Sequence, residues 1–393
     1  MFIFSLFFFL LIQYSIYQSI VEVPKAWDAL VAHDIFLNSA YLNALEHASP
    51  VNINMFYIGV FKDNDLVGVA LVQRVQMYLK DMFRNTKASC IKSVLKNAIS
   101  KVLKGNILVV GNLTHTGQHG LYFDADKISK TNFYSEVFKG VTALKSIVKT
   151  THNKTIRLIL VKDFFTEDDF LDTTFFQKEK LHKATVQPNM IMSVRDTWSS
   201  NEDYVASMNK KYRTRYKRAK KKLNGIVFKE MNLGAVKRQS KQLYELYLNV
   251  SNNAKFNTFI LPENHFYALK DNLGEAFKVF GYYLNNELIG FFTLILNNKH
   301  LETYFLGYDC KHQYPNQLYL NMLYDMAKFG IEHNFDTIVY ARTAMEIKSS
   351  VGAKPQAMEM YLKHTNTVLN VILKQVFRFM NPSKDWQERH PFN

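Results

Sequence analysis

The sequence predicts an α/β protein whose mixed sheet carries helices on its faces, organised as two tandem domains related by internal duplication. Three observations predict it. Val279–Ile295 reads as a strand, an Asn285-Asn286-Glu287 turn and a second strand. Tyr57–Val72 matches that hairpin without a gap: Gly59 falls on Gly281, Phe61 on Tyr283, Asn64 on Asn286, Leu66 on Leu288 and Gly68 on Gly290, every pair at the same separation. The flanking elements then follow one order in both halves, with helices before the hairpin and strand, helix, strand and a closing strand after it.

Composition bounds the rest. An apolar share of 48% with 14% aromatics is ample for packed cores and excludes a disordered chain. Cys90 and Cys310 are the only cysteines, which excludes a disulfide framework or a cysteine-based zinc site and fits a reducing compartment. The formal charge of +15 calls for an anionic partner: a phosphorylated donor, a nucleic acid or a membrane surface.

Met1–Ile12 is almost wholly apolar, but it lacks the basic start of a secretory signal and falls short of the ~20 residues that span a membrane. It reads as an upstream start, a lead into the first strand or an anchor, so the cytoplasm is the expected location and membrane association the alternative. A first domain is expected over residues 13–198. Pro24 opens a short helix and Asn38-Ser39 precede another over Ala40–Glu46. After the first hairpin, Lys80–Leu103 is a basic, mostly helical insertion. Ile107–Val110 is a buried strand opening into a glycine-punctuated loop, Gly111–Gly120. Phe133–Val148 is a helix, Ile156–Val161 a strand, and Phe175–Val194 a closing strand pair broken by Pro188.

The second domain is expected over residues 199–375. Ser199 and Glu202 have capping-box spacing, starting a helix that runs to Leu223 and stops at Asn224-Gly225. A helix over Val236–Val250, the second hairpin, a strand over Leu301–Tyr308, a helix over Asn316–Ile331 and a strand over Thr337–Arg342 follow. A short helix and a last strand near Met358–Leu362 close it, with residues 376–393 as a tail packing back on the domains.

This element order resembles the GNAT acyltransferase fold. The basic stretch Tyr204–Leu223, the segment Ala341–Pro355 and the ending Trp386–Phe392 are similar to tandem GNAT proteins of the Fem-like group, and the likeness covers nearly all of the chain beyond residue 13. The resemblance implies N-acyl transfer from a carrier, acyl-CoA such as acetyl-CoA, to an amine on a small molecule or a cell-envelope precursor. Its alternatives are aminoacyl-tRNA as donor, as in Fem-type enzymes that extend a cell-wall peptide, and a non-catalytic pair that binds an anionic membrane or polymer. It also implies that strands four and five of the second half splay apart to admit the donor, whose pyrophosphate meets the N-terminus of the next helix. Lys311, His312 and Asn316 lie on that approach, with Arg342 and Lys348 beyond strand five. The glycine-rich turn that acetyl-CoA users carry there is absent from Lys311–Gln317.

Individual residues divide by chemistry. Lys210, Lys211, Arg213, Arg215, Lys217 and Arg218 share a helix with Tyr204, Met208, Tyr212 and Tyr216 at helical spacing and with no acid between. They form either a solvated face or an anion grip. Glu346 is a candidate base for the ammonium acceptor, with Glu302 and Asp309 as rivals. Tyr304 and Tyr308 are candidate acids for the leaving group. Each of these residues has a plain structural alternative, ion pairing or packing. Gly117, Gln118, His119 and Gly120 are candidates for the acceptor pocket, because glycine loops admit close backbone approach. His115 and His119 have H-x-x-x-H spacing, but on a loop with no evident third ligand they argue for no metal.

Overall fold

A computed structural model describes residues 11–77, 105–253, 258–380 and 386–392. The basic insertion expected over Lys80–Leu103, and Met1–Leu10 of the apolar lead, lie outside the described residues. Each half starts from an edge strand. β1 (Ile12–Tyr17) lies antiparallel to β2 (Ile53–Lys62), which turns into β3 (Asp65–Met77). In the second half β8 (Ile226–Glu230) lies against β9 (Phe277–Leu284), which turns into β10 (Glu287–Asn297).

The two hairpins are the same object. Asp63-Asn64 and Asn285-Asn286 all have left-handed φ, between 50° and 73°, the geometry of a two-residue turn that matches strand twist. Each hairpin carries its bulge at the same place: register passes from Phe61–Leu66 to Val60–Gly68 in one and from Tyr283–Leu288 to Tyr282–Gly290 in the other. The repeated glycine has one reason in both copies. A Cβ at Gly68 would lie 2.6 Å from the Phe133 ring, and one at Gly290 would lie 2.8 Å from the Met322 methyl, so the helix covering each half sits on that strand position.

Those covering helices are α3 (Lys130–His152) and α11 (Leu318–Glu332). In the first half β4 (Gly105–Val110) runs parallel to β6 (Ile156–Phe165), and a short β5 (Leu121–Phe123) pairs with β3. In the second, β11 (His300–Tyr308) runs parallel to β12 (Thr337–Val339). The closing strands are exchanged. β7 (His182–Ser193), from the first half, pairs with β12, whereas β13 (Lys354–His364), from the second, pairs with β6, and β7 and β13 pair with each other. One continuous sheet results, in the order β1-β2-β3-β4-β6-β13-β7-β12-β11-β10-β9-β8.

On the opposite face of each hairpin, α1 (Ala26–Leu30) and α2 (Ser39–His47) meet α7 (Leu233–Arg238), α8 (Ser240–Asn253) and α9 (His265–Leu273) in a single apolar core built from both halves. Asn43 donates to Asn272 across it at 2.9 Å.

Three expectations change. Phe175 is helical, in α4 (Thr173–Lys178), because Asp172 caps it by accepting from the Phe175 N–H at 2.8 Å; a single strand, β7, follows instead of a pair. Pro188 does not break β7: it falls where the β7–β13 register shifts, so its missing N–H costs no ladder bond. The basic helix is two helices, α5 (Asn201–Ser207) and α6 (Lys210–Lys221), since Asn209 caps a new start; the capping box is Ser200–Asp203, one residue past the expected pair. Two further helices lie near the end of the chain, α12 (Met345–Ser349) and α13 (Thr367–Met380). Among the described residues no helix is long and apolar enough to cross a membrane.

Candidate functional site

β11 and β12 pair only over His300–Thr337, Leu301–Ile338 and Glu302–Val339. Beyond Glu302, β11 continues with β10, whereas the chain after Val339 follows β7: Tyr340 N–H donates to Met190 O at 2.8 Å and Met190 N–H to Ala341 O at 3.2 Å. A wedge opens between them. Its far wall is unusual backbone, since Ala341, Thr343 and Ala344 all have left-handed φ (57°, 69° and 46°).

Two sequence-predicted donor residues build that wall. Buried Lys348 donates to the carbonyls of Ala341 at 3.1 Å and Arg342 at 2.6 Å, and Arg342 turns its guanidinium across the exchanged strands to Asp163. Burial lowers the Lys348 pKa from 10.5 to about 7. The unfolded chain therefore holds a proton that the folded chain sheds between those values, and folding stability from this residue rises as pH rises from about 7 towards 10.5. We expect the stability difference between wild type and Lys348→Met, measured by urea unfolding, to grow in favour of wild type over that range; a difference flat in pH contradicts the assignment.

At the start of α11, a short α10 (Cys310–Gln313), capped by Asp309, precedes Gln317 in left-handed geometry. Lys311 is exposed. His312 contacts Asn316 at 3.3 Å, and Asn316 donates to Lys222 O at the end of α6 at 3.0 Å. Gln313 accepts from the Tyr319 N–H at 3.1 Å, so one first-turn donor of α11 is already occupied.

A cleft of about 620 Å³ lies between α6, α12 and the chain end, lined among others by Lys211, Arg215, Glu346, Trp386 and Arg389. Glu346 pairs with Arg389, whose Nε lies at 3.1 Å. Arg213 donates to Ala206 O and Met208 O at 3.0 and 2.7 Å, closing the end of α5. Lys210, Lys211, Arg215, Lys217 and Arg218 form no ion pair with a described residue.

A third assembly forms where the halves meet. His119 Nδ1 lies 2.9 Å from Asp34 and its Nε2 3.7 Å from Glu302; His115 Nε2 lies 3.2 Å from the other Glu302 oxygen. Spacing on a loop does not prevent both imidazoles from converging, contrary to the sequence-based expectation, and Glu302 stands as the third group. Gly117 is the reason. With φ at 129° it folds the loop back so tightly that a Cβ there would lie 2.6 Å from the His119 ring. Phe36 stacks on His115 with ring centres 3.9 Å apart. Burial would raise Glu302, but both imidazoles outweigh it and hold the carboxyl at about 2. Burial would lower His119, but Asp34 and Glu302 raise it to about 10, whereas in His115 burial prevails and the pKa falls.

The predicted residues therefore separate. Glu302, Tyr304 and the Gly117–Gly120 loop come together at the seam, where the Tyr304 hydroxyl meets His265 Nε2 at 3.1 Å. Glu346 joins Lys211 and Arg215 in the cationic cleft. Tyr308 stands at the end of β11, half-buried, its carbonyl accepting from Asn249 at 3.2 Å. Asp34 and His265 escaped the sequence reading; an Asp or His beside a helix start carries no signal of a partner so far along the chain.

No protein-family model matches the sequence, and no curated protein matches it. Solved structures do. FemX superposes with a TM-score of 0.53 at 12% identity, covering 89% of this chain and 98% of that one. A tandem GNAT protein from the clavulanic acid biosynthesis pathway gives 0.49 at 8% identity over 91% and 99%, and L-PGS from Bacillus licheniformis 0.45 at 12% over 92% and 97%. Duplicated hairpins, a parted fourth and fifth strand and a likeness to FemX along almost its whole length leave one architecture: the chain has the tandem GNAT fold of the Fem-like kind.

Proposed function

We propose that this chain is an N-acyltransferase whose donor enters the wedge between β11 and β12 and whose acceptor amine approaches from the seam of the halves. The parting of those strands after Glu302 and Val339 carries the reading, because it leaves strand N–H groups without a strand partner where a carbonyl can lie and its oxyanion be held. Tyr308 is the favoured acid for the leaving group. Its hydroxyl forms no side-chain hydrogen bond among the described residues, whereas Glu302 is committed to two imidazoles, Tyr304 to His265 and Glu346 to Arg389.

An acyl-CoA is the simplest donor for this fold. A second reading, aminoacyl-tRNA, is supported by a specific observation: Gln313 occupies a helix-start N–H that a pyrophosphate needs, while Lys211 and Arg215 line a wide cleft near the wedge without carboxylate partners. Calorimetric titration with acetyl-CoA, longer acyl-CoAs and aminoacyl-tRNA tests both. Heat from a CoA thioester supports the first; heat from tRNA alone supports the second. The Lys211→Glu/Arg215→Glu variant should then lower the slope of log affinity against log salt by roughly 1 for each phosphate it no longer neutralises. Heat from none of them overturns the transferase reading.

A further inference from the structure

The seam cluster contains more than an ion-pair network needs. A buried imidazole, a half-buried one and a buried carboxylate point their ligating atoms at one another, all within 4.8 Å. We propose that His115, His119 and Glu302 form a site for a divalent transition-metal ion, zinc being the best fit, which fastens the first half of the protein to the second. The inference does not depend on acyl transfer, since it rests on a donor set and not on the wedge.

Distance is the first argument. Zinc holds nitrogen and oxygen ligands at about 2.0–2.2 Å, so neighbouring ligands on a tetrahedron stand about 3.3–3.6 Å apart. His115 Nε2 and His119 Nε2 lie 3.2 and 3.7 Å from Glu302 oxygens. The donor set is the second: two imidazoles and one carboxylate suit zinc and its neighbours, whereas calcium or magnesium takes oxygen ligands throughout.

The surroundings supply what a metal-bound histidine requires. Asp34 receives the Nδ1 side of His119 at 2.9 Å, which fixes the ring and leaves Nε2 for the ion. Asp34 is itself held by the Phe36 N–H at 3.1 Å and the Asn297 amide at 3.2 Å. Phe36 clamps the His115 ring from one side. Two buried carboxyl groups stand at the site, Glu302 among the ligands and Asp34 behind His119, and a divalent cation suits such a setting. His119, with 17% of its side chain exposed, gives the ion a way in, while His115 and Glu302 are 3% exposed.

The sequence positions explain why such a site would matter. His115 and His119 belong to the loop after β4, and Glu302 to β11 at the last residue before the wedge opens. An ion there fixes the base of the wedge from the opposite half.

The test uses the full chain, its purification tag removed. Zinc measured by plasma mass spectrometry should approach one equivalent and fall below about a tenth in His119→Asn and Glu302→Gln. Stripping wild type with a chelator and returning zinc should raise the melting temperature by several degrees, with no rise in His119→Asn. Should the variants fail to fold, cobalt added to stripped wild type serves instead, because a tetrahedral nitrogen–oxygen site gives visible absorption bands of high intensity. Wild type that carries no zinc, shows no thermal response to it and gives only the weak spectrum of hydrated cobalt overturns the proposal and leaves the cluster as hydrogen bonds and ion pairs. Zinc retained in full by both folded variants overturns it equally.

Discussion

Asp163→Ala will cost the protein about 3–5 kcal/mol of stability, the usual loss when one partner of a buried charge cluster is deleted. Asp163 is fully buried at the end of β6, with left-handed φ of 64°. Its carboxylate meets Lys162 Nζ at 2.8 Å and the Arg342 guanidinium from the second half. Burial would raise its pKa, but Lys162 and Arg342 outweigh that and hold it below the usual carboxylate range. Alanine removes the anion and leaves two cations facing each other. It also leaves alanine in a left-handed backbone region that Asp and Asn adopt more readily. The sign with pH follows from the depressed pKa: this contribution is complete above the unfolded value of 3.8 and is lost as pH falls through the lower folded value. Asp163→Asn, which keeps the backbone preference, should lie between wild type and alanine and lose the acid dependence. Urea unfolding at several pH values reads both. A loss below about 1 kcal/mol means that Lys162 and Arg342 have found water. The effect extends to function, because Arg342 is anchored by the same carboxylate and its carbonyl is one of the two that Lys348 props at the wedge mouth.

How far the sequence carried this depends on the range of each cause. The hairpins were legible because turn, bulge and covering helix are all set within one copy: Asn285-Asn286 makes the turn, and Gly290 admits Met322. The break between α5 and α6 was also marked locally, by Asn209, but the helical spacing of Tyr204, Met208, Tyr212 and Tyr216 masked it. The exchange of β7 and β13 was not legible. Both are strands of ordinary composition, and nothing in either says that its neighbour belongs to the other half. The same holds at the seam. Glu302 and His119 were both singled out, for different roles, and Gly117 was read as room for a ligand. Its fold brings His119 back beside His115, and their partner Glu302 arrives from the other half. That Arg342 pairs with Asp163, and that Lys348 props a left-handed turn at Ala341, is invisible from spacing.

Gly307→Ala should be the most damaging exchange available on the wedge strand. A Cβ at this position would lie 2.4 Å from the Leu246 carbonyl carbon, 2.5 Å from Tyr247 N and 2.6 Å from Leu246 O. All three are backbone atoms of α8, so no rotamer relieves the clash; the helix must retreat by about 1 Å to restore ordinary contact. α8 cannot retreat alone, because Leu243, Leu246 and Tyr247 are buried in the core that both halves share. Overpacking commonly costs about 1–3 kcal/mol, and with rigid backbone on both sides we expect about 3 kcal/mol or more. Gly290→Ala is the matched control: its Cβ meets the Met322 methyl at 2.8 Å, the far end of a flexible side chain, and its cost should be about 1 kcal/mol. Activity should separate from stability in the same experiment. Asn249 on α8 donates to the Tyr308 carbonyl at 3.2 Å, so a displaced helix moves the hydroxyl proposed to serve the leaving group. At a temperature where both variants remain folded, Gly307→Ala should therefore lose kcat with donor affinity largely kept, whereas Gly290→Ala should keep both. Equal unfolding costs for the two variants mean that the α8 backbone yields as readily as the Met322 methyl, and the expectation fails.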